Sequence, residues 1–330
     1  MNKRISIILP VNNVEESDLS IPISSINNQI GIDFHDVELL LIDNGPYKLE
    51  HPEFFDLFRN VDLRYLITDQ VMESNSAIQF GIDAAQGDYV TILEPNNQLH
   101  QAPTLQGYFT MSDAHPDADS INGIVTTQYF DKQRVAHYQV GRMVQSIAGR
   151  WIKRSFLQDN QIRFKDDFGP YAEEYVSRLV NKLSNDAVDL DDYGVMKFMS
   201  RALPNNNALQ APINVTWMKM MSLYFQQLQN ADQVAYMNEF AKFTIRFYTQ
   251  LKSVPVADRS SLQSIMKTIV GTNALAWAPT LAYVKQVRAK DQSPAAPWNA
   301  EAQQFDNYLN GLSQHLNAYG LQMNINQERS

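Results

Sequence analysis

Short apolar runs alternate with segments of helical spacing along the first hundred residues. Ile5–Leu9, Val37–Ile42, Leu63–Ile67 and Tyr89–Leu93 are bounded by turn residues and contain recurring β-branched side chains, so they predict buried strands of a largely parallel sheet. Between them, residues 19–29, 52–59 and 74–86 carry apolar positions at helical intervals. Pro22 fits the first of these segments only near a helix start, and Gly87 closes the third as a helix-terminal glycine. The order β-α-β-α-β-α-β predicts an open α/β sheet, whose ligands bind at the carboxyl ends of the strands. Three of those ends are polar: Pro10-Val11-Asn12-Asn13, Asp43-Asn44-Gly45-Pro46 and Glu94-Pro95-Asn96-Asn97. Singly, each is an ordinary turn sequence. Together on one sheet edge they outline a site.

From about residue 206 the strand pattern stops, and apolar residues recur at i, i+3, i+4 and i+7 instead. The expected organisation is an α/β domain over residues 1–205 and an all-α domain over residues 206–330. Joints between the helices are expected at Asp258 and Ser293-Pro294, and residues 324–330 read as a loose end. Trp217, Tyr224, Phe225, Phe240, Phe243, Phe247 and Tyr248 read as the core of the helical part.

Charge follows the same division. Residues 1–205 carry a balance of −12 and residues 206–330 one of +3, within a total of −9. That acidity argues against nucleic acid as a partner. In the helical part, Lys242, Arg246, Lys252, Lys285, Arg288 and Lys290 offer contacts to an acidic partner protein or an anionic membrane surface; the plainer reading is solvated helix faces. The chain has no cysteine, which excludes disulfides, thiolate metal sites and a cysteine nucleophile. No run of 18 apolar residues is present, and the opening MNKRISIILPVNN is interrupted by Pro10 and lacks a cleavage site. The expected location is cytoplasmic, extending to the inner membrane surface. Phosphate-binding loops, the dinucleotide fingerprint, the zinc-protease helix and the serine-hydrolase elbow are all absent as motifs.

Six pieces in order resemble the family 2 inverting glycosyltransferases with the GT-A fold. ISIILPVNN resembles their opening strand and turn, LSIPISSINNQ the first helix, and VELLLIDNGP the strand that ends in Asp-Asp-Gly-Ser. NSAIQFGIDAAQGDYVTILEPNNQL resembles the segment leading into an Asp-x-Asp metal motif. IRFKDDFGPYAEEYVSRLV resembles the segment bearing a Glu-Asp pair and the catalytic base, and DLDDYGVMKFMSR the closing strand. The resemblance implies a GT-A sheet, open and mostly parallel with flanking helices, and transfer of a sugar from a nucleotide diphosphate, UDP above all. The acceptor would be a glycan, a lipid-linked saccharide or a protein, in cell-surface polysaccharide or glycoconjugate synthesis.

By the same resemblance, Pro10, Asn12, Asp43 and Glu94 bind the nucleotide sugar, with Asp43 accepting the uracil N3–H. Glu174 takes the base position, and Glu173 precedes it. Glu94 and Asn96 stand where carboxylates would hold Mg²⁺ or Mn²⁺. Apart from the resemblance, His100 is close in sequence and offers a ring nitrogen to Mn²⁺, the plainer reading being a solvated loop histidine. Departures cluster at the donor site: Asn12 for a tyrosine, Asn44 for an acid, Ile78 for an arginine, and Glu94-Pro95-Asn96 for Asp-x-Asp. Each removes a charge or shortens a polar reach. The alternative reading is therefore a degenerate GT-A subunit that binds a sugar nucleotide or a partner transferase without turnover. Glu173 and Glu174 are adjacent on a helix, about 100° apart, so at most one can face the site. Both also read as acids favoured by a helix N-terminus.

Overall fold

The computed structural model describes residues 3–11, 14–43, 51–68, 70–143, 146–199, 213–293 and 296–327. The chain divides into two compact units, Met1–Leu209 and Gln210–Ser330.

The first unit follows the predicted alternation: β1 (Ile5–Val11), α1 (Glu16–Asn27), β2 (Val37–Asp43), β3 (Asp62–Ile67), α2 (Ser74–Ala84) and β4 (Tyr89–Ile92). The 52–59 segment shortens to a 3₁₀ turn over Pro52–Leu57. β1 and β2 are continuous apolar runs because they are covered on both faces; every residue of each is buried. A fully buried Leu or Ile contributes roughly 1.5–3 kcal/mol, so these two strands anchor the unit.

α1 begins earlier than its periodicity suggests. Glu15 and Asp18 form a capping box, which leaves Pro22 inside the helix rather than in its first turn. The missing Pro22 N–H is tolerated because Leu19, Pro22, Ile23 and Ile26 bury one face against the sheet. Gly87 is not a cap either, since α2 ends at Ala84. A Cβ at Gly87 would lie 2.6 Å from the Ser6 nitrogen, so the glycine permits close approach to β1.

Beyond β4 the sheet changes character. β5 (Asn97–Leu99), α3 (Thr104–Ala114), β6 (Ser120–Phe130), β7 (Ala136–Gly141), β8 (Arg150–Lys153), α4 (Arg154–Asp159), α5 (Ala172–Leu183) and β9 (Ala187–Met199) complete the unit. The strand order is β3-β2-β1-β4-β8-β6-β9-β5, with β7 on β6. Pairs from β3 to β4 are parallel, whereas β4–β8, β6–β8, β6–β7 and β5–β9 are antiparallel. The sheet is therefore mixed, not mostly parallel. Parallel neighbours require a crossover, and the short links after residue 93 return strands from the other direction. β6–β9 is the parallel exception, with α4 and α5 in its crossover.

The second unit contains α6 (Val215–Ala231), α7 (Gln233–Leu251), α8 (Val256–Thr272), α9 (Trp277–Lys290), α10 (Pro297–Ala300) and α11 (Ala302–Gln327). Asn214 and Asp232 cap α6 and α7 through their side-chain oxygens. Asp258 lies in the first turn of α8; the joint falls just before it, at Pro255. α11 runs to Gln327, so most of the expected loose end is helix. All seven aromatics named above are buried, and the Phe225 ring meets Phe240 at 5.0 Å and Phe243 at 5.1 Å. Four of the six basic side chains are engaged inside this unit: Lys242 with Glu239, Lys252 with Glu301, Arg288 with Asp306, and Arg246 over the Trp217 ring. They do not form a bare cationic face. Among the described residues no helix is long and apolar enough to cross a membrane.

Candidate functional site

A cavity of about 200 Å³ opens past the carboxyl end of β4. Its wall takes Ser74, Asn75 and Ile78 from α2, Ile92, Glu94 and Asn97 from β4–β5, Ile147 and Ala148 from the loop before β8, and Phe164, Gly169, Pro170 and Glu173 from the lead into α5. The α2 N-terminus is fastened to that lead. Asp166 accepts from the Ser76 N–H at 2.9 Å and from the Ser76 hydroxyl, and Asn75 Nδ2 donates to the Gly169 oxygen at 3.0 Å. Gly169 has φ of +47°, a conformation that favours glycine, and it turns the chain into α5. An arginine-to-isoleucine departure thus falls on the wall itself, at Ile78.

Glu94-Pro95-Asn96-Asn97 is a tight turn closed by the Asn97 N–H donating to the Glu94 oxygen at 2.9 Å, with proline at the second position, where its φ fits. β9 grips this turn. The Phe198 N–H donates to the Asn96 oxygen at 3.0 Å, and Asn96 Nδ2 donates back to the Phe198 oxygen at 3.1 Å. One residue away, Lys197 Nζ lies 3.2 Å from Glu94 Oε2, and Asn97 Nδ2 reaches the same oxygen at 3.3 Å. Burial pulls the Lys197 pKa down, but the negative charges of Glu94 and Glu173 and the bond to Glu94 outweigh it. The result stands above the usual lysine value. Asn97 is 2% exposed, and its Oδ1 has no hydrogen-bond partner among the described residues.

These contacts answer whether Glu94 and Asn96 fit Mg²⁺ or Mn²⁺. Hard cations seek several anionic oxygens. Here one carboxylate is already paired with an ammonium, and the neighbouring amide is bonded to strand backbone. A metal on Glu94 would sit against Lys197, where like charges repel by about 4 kcal/mol per charge pair at 4 Å and an effective dielectric near 20. Among the described residues no group of three His, Asp or Glu side chains could hold a metal. The expected metal pair does not fit. His100 does not join it either: its ring stacks on Tyr193 at 4.5 Å outside the cavity wall, and burial lowers its pKa against the opposing charge of Asp192.

The acidic pair divides as helical geometry requires, and it is Glu173, not Glu174, that reaches the cavity. Glu173 lines the cavity. Its Oε1 accepts from the Ser146 hydroxyl and from the Ile147 N–H at 3.0 Å, while Oε2 has no hydrogen-bond partner among the described residues. Glu174 is off the wall and buried, its Oε1 receiving both Nε and Nη2 of Arg178 at 2.8 Å. The i, i+4 arginine draws Glu174 along the helix, which leaves Glu173 to face the site.

The remaining expected residues lie elsewhere. Asp43 ends β2, 1% exposed, and accepts the Tyr65 hydroxyl; its backbone oxygen accepts the Thr68 N–H at 3.0 Å. Pro10 is buried in β1 opposite Ile42. Neither lines the cavity. Asn12 and Asn44 lie outside the described residues. The sequence reading missed Lys197, Ser146 and Tyr65. Lys197 left one trace, a charge inside the otherwise apolar run VMKFM.

Comparison with known proteins agrees with this architecture. Residues 1–349 of S. aureus TarS, crystallised with UDP, superpose with a TM-score of 0.65 at 15% identity, over 96% of this chain and 91% of that one. The same TarS fragment with UDP-GlcNAc gives 0.64 at 15% identity, covering 96% and 92%. The longer TarS structure gives 0.59 at 15% identity, covering 93% of this chain and 54% of that one. At this identity the likeness establishes the fold, a GT-A sheet with a helical region after it. No curated protein is matched by sequence. Residues 6–169, about half of the chain, match the family described as Glycosyl transferase family 2. Through that segment, which carries β1 through β8 and most of the cavity wall, this chain belongs to the family 2 glycosyltransferases.

Proposed function

We propose that this glycosyltransferase moves a sugar from a UDP-linked donor to an acceptor hydroxyl with inversion, residues 1–205 being the catalytic domain. The observation that carries the reading is Glu173: a carboxylate held at one oxygen by Ser146 and Ile147, its other oxygen without a hydrogen-bond partner among the described residues, on the wall of a cavity at the ligand edge of an α/β sheet. Such a group is placed to take the acceptor proton as the hydroxyl attacks the anomeric carbon from the side opposite the diphosphate. Asp43, which ends β2 outside this cavity wall, is the residue that the family resemblance gives to the uracil N3–H. The UDP and UDP-GlcNAc held by TarS make those two compounds the first to try here. A glycan, lipid-linked or protein acceptor on the way to a cell-surface polymer remains the proposed class.

The test pairs calorimetry of UDP with a transfer assay from UDP-GlcNAc. Glu173→Gln should lower kcat by about 10²-fold or more and leave UDP affinity nearly unchanged, since a base acts only in the transition state. Retention of more than about a tenth of turnover would move the base elsewhere. UDP binding by the wild type with no turnover on any acceptor would instead favour a binding subunit.

A further inference from the structure

A nucleoside diphosphate carries its negative charge into a cavity whose described wall already holds Glu94 and Glu173 and includes no cationic side chain. Position 78 contributes an isoleucine. The turn at 94–97 does not fit a metal, as its contacts show. What approaches this wall is the Lys197 ammonium, 3.2 Å from Glu94 Oε2, on a side chain 19% exposed. Its place is built rather than incidental: Asn97 pairs with Lys197 across β5 and β9, and Phe198 holds Asn96 by two hydrogen bonds. The stem lies within the sheet, and the head reaches the turn.

We propose, resting on the nucleotide-sugar reading above, that Lys197 supplies the positive charge that receives the donor diphosphate, in place of a divalent cation, and that donor binding by this chain is metal-independent. An ammonium has three donors and no fixed plane, so it can keep one bond to Glu94 while giving others to phosphate oxygens. In the transfer step the acceptor oxygen bonds the anomeric carbon and its proton passes to Glu173. The bond from the anomeric carbon to the phosphate oxygen breaks, and its electron pair leaves with UDP. Charge builds on that oxygen, and Lys197 is the cation placed to hold it.

The experiment is calorimetric titration of the full chain with UDP and with uridine, in EDTA and then with Mn²⁺, for the wild type, K197M, K197R and E94Q. The wild type should bind UDP equally in both conditions. K197M should weaken UDP by about 10- to 100-fold, the size of a charge-assisted bond, and leave uridine unaffected. K197R should recover most of the loss. E94Q, which removes an anion competing for Lys197, should tighten UDP in EDTA. UDP binding that requires Mn²⁺, or E94Q weakening it while K197M does not, would overturn the proposal and leave the nucleotide-sugar reading intact. No binding of UDP or any other nucleoside diphosphate in either condition would overturn both. If K197M fails to fold, as a melting curve would reveal, the wild-type comparison and E94Q still decide.

Discussion

Glu94 and Glu173 line one cavity, yet the chain holds them in opposite ways. Glu94 sits in a proline turn and is neutralised by an ammonium from the neighbouring strand. Glu173 opens a helix and is oriented by a hydroxyl and a backbone N–H, two neutral donors that fix its direction without cancelling its charge. A carboxylate with a cation attached is a carrier of that cation. A carboxylate held by neutral donors is oriented without taking a counter-charge from them. On the proposed function, the difference puts anion binding on one side of the site and proton transfer on the other. Neither assignment follows from residue type, since both are glutamates.

The largest effect should come from exchanging those signatures. Glu173→Gln removes the proton acceptor and should cost about 10²–10⁴-fold in kcat with UDP binding preserved. Glu94→Gln should act on UDP affinity first. If both variants lost only affinity, or both only turnover, the division between the two carboxylates would fail.

Asp43 is next. Asp43→Ala should weaken UDP by about 1–3 kcal/mol, as for a buried bond to a charged group. Binding of a diphosphate without a base, such as pyrophosphate, should be indifferent. An equal loss for UDP and pyrophosphate would place Asp43 with the Glu94 side of the site. Unchanged UDP affinity would leave Asp43 a structural residue, with the Tyr65 hydroxyl among its partners.

Glu174 controls for position. Its carboxylate is bound by Arg178 and buried away from the cavity. Glu174→Gln should lower stability by about 1–3 kcal/mol, because an arginine loses its charged partner, and should retain most of the turnover. A thermal melt and the transfer assay together check this. Loss of turnover in a folded Glu174→Gln protein would reverse the order within the pair.

Much of this was legible in the chain before the fold was known. β1 and β2 are buried on both faces, so they read as unbroken apolar runs, and the polar residues after them mark the ligand edge. β6 through β9 were harder, because their patterns are blurred. β7 exposes five of its six residues and, among the described residues, pairs only with β6, so no buried face imposes alternation. The Glu173-Glu174 pair was visible as a pair. Which member turns inward depends on Arg178 and on the kink at Gly169, neither of which a motif encodes. Lys197 was hidden for a different reason. A lysine inside VMKFM conflicts with a buried strand, and only the β5–β9 register shows that its partner is Glu94, 103 positions earlier.

The smallest expected effect tests why Glu173 is oriented at all. Ser146→Ala removes one of two donors to Glu173 Oε1 and leaves the Ile147 N–H in place. A single bond to a charged acceptor is worth about 1.5–3 kcal/mol when the partner is left buried. Here the carboxylate borders an open cavity, so water can replace the lost donor and the effect should fall below that range. The expected outcome is a several-fold drop in kcat, with UDP affinity and melting temperature close to wild type. Serine lacks the reach to touch the diphosphate through Glu173, so any substantial loss of UDP affinity in Ser146→Ala would mean that the proton-transfer side and the anion side share a structural unit. In that case the contrast between Glu94 and Glu173 would describe two parts of one network, and the double variant Ser146→Ala with Lys197→Met would show less than the sum of the two single effects.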